Sequence, residues 1–146
     1  MSDWPHDRIY TAAIRSIRAH VKSDADWRFT HIDALPERLA RIAPLNPDER
    51  SLVSCFIDAQ RWYVMTTSRI FGIARGARFE CSPLEITHWK WGDSNESGRP
   101  EVGIATLSLK SGTHLRIAYE RGAASAAPAS YEQFWTNQYP TLGKSE

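Results

Sequence analysis

The feature that most constrains this chain is a series of short segments rich in β-branched and aromatic residues between positions 52 and 120. Polar or glycine-containing connections separate these segments. Such connections are too short for the crossovers that parallel strands need, so the pattern predicts antiparallel strands. Seven strands are predicted, at residues 52–57, 62–66, 70–73, 78–81, 86–91, 103–110 and 115–120.

The last two predicted strands allow a register to be derived. Ala105, Leu107 and Leu109 alternate on one face, and Leu115, Ile117 and Tyr119 do the same on the next strand. Because a shift of one residue would turn one of these sets to solvent, both sets are expected to face the core. We therefore expect Leu109 opposite Leu115, with residues 110–114 as the connection and Gly112 at positive φ.

Helical spacing appears on either side of the strand-rich region. Apolar residues recur at helical intervals over residues 7–21, and residues 36–42 begin with a proline suited to a first helical turn. A C-terminal helix is predicted over residues 130–139, with an aromatic stripe facing the sheet, whereas residues 121–128 are expected to form a loop. The first helix also has a basic stripe, formed by Arg8, Arg15, Arg18 and Lys22. This stripe is either a solvated face or a contact for an acidic partner.

These elements predict a single α+β domain over residues 1–146. Residues 1–50 form a helical N-terminal extension, and residues 51–140 form a seven-stranded antiparallel barrel or sandwich capped by the C-terminal helix. A chain of 146 residues is of the commonest size for one domain.

The hairpin sequence of residues 61–72, Arg-Trp-Tyr-Val-Met-Thr-Thr-Ser-Arg-Ile-Phe-Gly, carries a resemblance to a known superfold. Together with the strand order over residues 51–140, it resembles the bacterial PH-like and GRAM-like domains. The resemblance implies two nearly orthogonal sheets closed at one end by the C-terminal helix, an architecture that hosts many binding roles. Phosphoinositide recognition is not implied, because no cluster of lysines and arginines lies between the first two strands.

Composition narrows the classes of partner. The 18 basic and 17 acidic residues give a net charge of +1, too small to attract nucleic acid through a global field. No apolar run is long enough to span a membrane, and the first eight residues do not resemble a signal peptide. We expect a cytoplasmic protein with neither nucleic-acid binding nor integral membrane association.

No motif predicts catalysis, a metal or a cofactor. Cys81 and His88 could form a thiol–base pair, but no third residue orients the histidine, and packing explains both. Residues 93–98 match the first half of a calcium-binding loop, but Ile104 occupies the position that needs a bidentate glutamate. The five histidines show no metal-ligand spacing. We expect a protein that is not an enzyme.

The six tryptophans are well above ordinary usage and suggest that some lie at the surface. Trp89 and Trp91 share one face of the fifth predicted strand, which leads into a polar loop; the alternative is that both fill the core. Tryptophan is enriched in protein-binding hot spots. The leading hypothesis is a protein-binding module of a bacterial cytoplasm, such as an immunity or adaptor protein, whose partner contacts Trp89, Trp91, Asp93, Asn95, Glu96 and Arg99.

A second hypothesis is a small-ligand or anionic lipid-headgroup binder. Its ligand would occupy a cavity between the sheet and the C-terminal helix, with Arg69, Arg75 and Arg78 as the anion-binding residues.

Overall fold

The computed structural model describes residues 5–21, 27–92 and 98–141, and these form an α+β fold. The helices are α1 (His6–Ala19), α2 (Glu37–Ile42) and α3 (Ala126–Gln133). The strands are β1 (Thr30–Ile32), β2 (Ser51–Asp58), β3 (Arg61–Thr66), β4 (Ile70–Ala74), β5 (Ala77–Cys81), β6 (Ile86–Trp91), β7 (Val102–Leu109) and β8 (His114–Glu120).

The strands form two antiparallel sheets. One has five strands in the order β1-β2-β3-β4-β5, and the other has three in the order β6-β7-β8. Side chains from both sheets, α1 and α3 form a common core. The α1 helix packs against α3 and β2, and its contribution to the core is the stripe of Ile9, Ala13 and Ile17. The predicted antiparallel strands and C-terminal helix are thus confirmed.

A smaller core lies on the opposite face of the five-stranded sheet. Leu39 and Ala43, in α2 and just after it, cover Trp62, Val64 and Phe71. The rings of Trp62 and Phe71 meet edge to face, with their centroids 6.2 Å apart. The five-stranded sheet is therefore covered on both faces, which explains why most residues of β2 and β3 are buried in succession instead of alternating with exposed ones.

The prediction of seven strands in a barrel or sandwich is correct in part: the described residues form eight strands, and these lie in two separate sheets and do not close into a single barrel. The additional strand is β1, in the region predicted to be a helical extension. It is held by the Glu120 carboxylate, which accepts hydrogen bonds from the backbone N–H groups of Arg28 and Phe29, each at 2.9 Å, and from the Thr30 hydroxyl at 2.7 Å. Three residues are too few to show a strand period, and the anchoring residue, Glu120, is distant in the sequence, so the sequence pattern did not predict β1.

The predicted pairing of Leu109 with Leu115 is also wrong, by two residues. Leu107 lies opposite Leu115, and the Leu109 N–H donates to the Thr113 carbonyl at 2.8 Å. Gly112 does have positive φ, at 91°, and its N–H donates to the Leu109 carbonyl, so the turn closes more tightly than expected. Since a two-residue shift preserves the alternation, the same side chains still face the core.

The C-terminal helical segment begins earlier than predicted, so the expected loop at residues 121–128 is wrong. A 3-10 turn at Gly122–Ser125 leads directly into α3, and Pro128 lies in the first turn of α3, where a missing N–H costs nothing. After α3 the chain continues through a π-helical turn, Phe134–Gln138. Tyr131, Phe134 and Trp135 form the expected aromatic stripe and are buried.

Candidate functional site: the β6 edge

The predicted partner-binding residues fall partly within the described structure. Trp89 and Trp91 lie on β6, at the edge of the three-stranded sheet. Arg99 lies just before β7, and its guanidinium binds the Glu101 carboxylate, with a Nε to Oε1 distance of 2.7 Å. The remaining predicted contacts, Asp93, Asn95 and Glu96, lie outside the described residues. We use "β6 edge" for the four residues His88, Trp89, Lys90 and Trp91.

The two tryptophans of the β6 edge are half-buried, so neither a purely core nor a purely surface interpretation fits them. Their rings stack with centroids 5.6 Å apart and an angle of 24° between the planes. Trp91 also meets the Tyr119 ring edge to face, at 5.0 Å. One side of the pair therefore packs against the core, and the other side is accessible.

Tyr119 reaches Trp91 because the residue opposite it on β7 is Gly103. A Cβ atom on Gly103 would lie 2.6 Å from the Tyr119 ring, so only glycine leaves room for the ring to lie across β7. The Tyr119 hydroxyl then donates a hydrogen bond to the Gly92 carbonyl at the end of β6. This arrangement fixes both the Trp91 ring and the backbone that follows it.

The α3 helix contacts the β6 edge through Glu132. The Trp91 indole Nε1–H donates to the Glu132 Oε1 at 3.3 Å. Burial raises the pKa of the Glu132 carboxyl, and the hydrogen bond from Trp91 and the nearby His88 offset this only in part. The rim of the site on the helix side therefore consists of aromatic surface and one partly desolvated carboxylate.

The backbone of the β6 edge has unused hydrogen-bonding capacity. The Gly92 N–H donates to the Ile104 carbonyl at 3.0 Å, and β6 pairs with β7 in the register that places Lys90 opposite Thr106. Because pairing alternates along an antiparallel ladder, His88 and Lys90 direct their N–H and C=O groups toward β7, whereas Trp89 and Trp91 direct theirs away from it. No strand in the described parts of the chain pairs with this second edge.

A β-bulge limits the length of this edge. Ile86 lies opposite Leu109 and His88 opposite Ser108, so Thr87 is an extra residue in β6. Bulges disrupt the ladder and are a common way to protect sheet edges. The regular part of the edge is therefore short, and the outward-facing backbone groups belong to the two residues that carry the indole rings.

Of the residues predicted to bind an anion, Arg69 is already paired with acidic side chains of the protein. The Arg69 guanidinium forms a bidentate pair with Glu49, with Nε–Oε2 and Nη2–Oε1 distances of 2.8 and 3.0 Å, and its Nη1 contacts Glu80 at 3.0 Å. Burial alone would raise the pKa of Glu49, but hydrogen bonds from Arg69, Thr66 and the Asn46 backbone outweigh it and lower that pKa to about 2. The charge of Arg69 is thus already compensated within the protein.

The cavity near these arginines does not lie between the sheet and the C-terminal helix. It is an open cleft of about 340 Å³ on the outer face of the five-stranded sheet, where Arg69 and Arg78 lie beside Glu80 and Pro44. Arg75 is in the two-residue turn between β4 and β5, at positive φ, and is not part of the lining. The structure therefore brings together two of the three predicted anion-binding residues, in company with a carboxylate.

Cys81 and His88 do not form a thiol–base pair in the structure. Cys81 is buried in the five-stranded sheet, where burial raises the pKa of its thiol to about 12, while His88 is exposed on the other sheet. An uncharged thiol is a poor nucleophile at neutral pH. Across residues 5–21, 27–92 and 98–141, no three histidine, cysteine or acidic side chains cluster as metal ligands would.

Comparisons with protein-family models, with curated proteins and with solved structures found no match for this chain. In the described ranges, no helix combines the length and the apolar character needed to cross a bilayer. Function is therefore inferred from the geometry of the surface itself.

Proposed function

We propose that this protein binds another protein, and that an extended segment of the partner adds to the β6 edge as a further strand. The observation that carries the proposal is the outward direction of the Trp89 and Trp91 backbone groups, with no strand beside them in the described residues. Strand addition uses such groups for affinity and the neighbouring side chains for specificity.

The side chains of the β6 edge suit this role. The Trp91 ring is already held by Tyr119 and Glu132, and the Trp89 ring stacks on it, so little side-chain entropy is lost when a partner covers them. Large aromatic rings held in this way are typical of binding hot spots. A role as an immunity or adaptor protein, which needs shape and no chemistry of its own, is compatible with such a surface.

The arrangement of strands β2–β5 in one sheet and β6–β8 in the other, followed by α3, supports the proposed resemblance to PH-like domains. An anionic ligand for Arg69, Arg75 and Arg78 has less support. Most of the Arg69 N–H donors already bind Glu49, Glu80 and the Pro44 carbonyl.

Residue-resolved hydrogen exchange by NMR tests the proposal. In the free protein, the amides of Trp89 and Trp91 should exchange faster than those of His88 and Lys90, which donate to β7. Peptides selected for binding from a random library of extended sequences should then protect the Trp89 and Trp91 amides.

A pair of matched variants separates this edge from other apolar surface. Trp89→Ala should weaken binding of the selected peptides by about tenfold or more. Ile42→Ala removes an apolar side chain that is 44% exposed at the end of α2, away from the three-stranded sheet, and should leave binding unchanged. Selected peptides that bind normally to Trp89→Ala, or that protect amides elsewhere and not those of β6, would contradict strand addition.

A further inference from the structure

The outer face of the three-stranded sheet has an uneven charge distribution. Two rungs cross it side by side: one contains His88, Ser108 and His114, and the next contains Lys90, Thr106 and Arg116. His88 and Lys90 are exposed at the β6 edge. The single carboxylate within the three strands is Glu120, which is buried and bonded to residues 28–30. The basic side chains of this face are Lys90 and Arg116, which lie among histidine, serine and threonine, and the nearby carboxyl group of Glu132 in α3 interacts with His88.

The inner side of the same edge has the opposite character. There the surface includes the Trp89 and Trp91 rings, and the Glu132 carboxylate accepts the Trp91 indole hydrogen bond beside them. A second carboxylate placed beside Glu132 would be repelled, whereas an aliphatic or aromatic side chain would cover the rings.

An added strand meets both sides of the edge at once, because its successive side chains point to opposite faces of the sheet. Side chains on the same face as the two tryptophans meet apolar surface, and the intervening ones meet His88 and Lys90. We infer that the segment bound at the β6 edge alternates apolar and acidic residues, with the acidic ones on the His88 and Lys90 face. This inference rests on the strand addition proposed above and specifies the chemistry of the partner.

Synthetic peptides of about seven residues, a typical strand length, test it by isothermal titration calorimetry against the full chain. The first alternates valine and glutamate, the second alternates valine and lysine, and the third has the composition of the first with its glutamates and valines in two blocks. The valine–glutamate peptide should bind about tenfold more tightly than either of the others, and the preference over the lysine peptide should shrink at high salt.

Charge-reversal variants localise the effect. Lys90→Glu should invert the preference, so that the valine–lysine peptide binds more tightly. Lys110→Glu makes the same change in net charge in the exposed turn after β7 and should leave the preference unaltered.

The outcomes separate the two proposals. Equal binding of the glutamate and lysine peptides, with protection of the Trp89 amide, would overturn the acidic preference and leave strand addition standing. A preference for the glutamate peptide that Lys90→Glu does not change would also overturn the acidic preference of the β6 edge, because the glutamates would then bind a different part of the surface. If none of the three peptides binds, both proposals fail.

Discussion

Gly103 and Tyr119 lie directly opposite each other on β7 and β8, and the Tyr119 ring occupies the space that a side chain at position 103 would need. The pair places the ring against Trp91 and its hydroxyl on the Gly92 carbonyl. A glycine in a strand interior is usually weakening, so its presence here is explained by the close approach of the ring.

Gly103→Ala should therefore destabilise the protein by about 1–3 kcal/mol, because the added methyl group must displace the ring. Denaturant unfolding gives the free energy, and near-UV circular dichroism reports the loss of ordered packing around Trp91. In a Tyr119→Ala background the same Gly103→Ala change should cost nothing or stabilise the strand slightly. Equal costs in both backgrounds would show that the ring is not the cause.

Because of the Glu49–Arg69 pair, we expect the stability of the fold to decrease in acid. The folded-state pKa of Glu49 is about 2 against an ordinary value of 4.5, so its contribution is fully present above pH 4.5 and is lost as the pH falls toward 2. Over that range the free energy of unfolding should decrease by roughly 3 kcal/mol through this group. Glu49→Gln should be less stable at pH 7 and should show a smaller decrease in acid.

The control for that prediction is Glu37→Gln on α2. Glu37 also pairs with an arginine, Arg41, but both side chains are exposed. Exposed pairs contribute little, so this variant should match the parent within about 0.5 kcal/mol at each pH. If the free energy of unfolding decreases by the same amount in acid for the parent and for Glu49→Gln, the role assigned to Glu49 is refuted.

The contribution of Glu132 to the stability of the fold should have the opposite pH dependence. Its pKa is raised by burial, so the ionised carboxylate is disfavoured in the folded protein, and stability is lost as the pH rises above 4.5. Glu132→Gln keeps an acceptor for the Trp91 indole and removes the charge. The variant should match the parent near pH 4 and exceed it in free energy of unfolding at pH 7, as measured by urea titration. A Glu132→Gln variant that is less stable at pH 7 would contradict this assignment.

The two thiols should be unreactive in the folded protein. Cys55 and Cys81 are both buried, and burial raises the pKa of each thiol to about 12. At pH 8 a thiol-specific chromogenic reagent should label neither of them in native buffer and both in guanidinium chloride. Rapid labelling of one thiol in native buffer would show that its strand opens locally.

Local patterns in the sequence were enough to predict most of the elements. The stripe of Ile9, Ala13 and Ile17 carries the helical period, and the runs that became β7 and β8 alternate as strands do, because each buries one apolar face. The position of Trp89 and Trp91 on one strand face was visible for the same reason. The other strands were recognisable from their β-branched and aromatic composition.

Other features arise from contacts between residues far apart in the chain. The β1 strand pairs with β2 and is anchored by Glu120, which accepts hydrogen bonds from the Arg28 and Phe29 backbone and the Thr30 hydroxyl. The Trp91 ring of the β6 edge is fixed by Tyr119 and Glu132. Arg69 was predicted to bind an anionic ligand, but the fold places the Glu49 carboxylate beside its guanidinium.

The sequence by itself therefore determined the α+β class, the antiparallel strands and the face on which the tryptophans lie. Only the tertiary structure decided the number of strands, the hairpin register and which strand edge lies without a partner strand in the described residues. The physical reason is that periodicity reports which side of an element is buried, whereas pairing and ion-pair formation depend on what the rest of the chain places opposite.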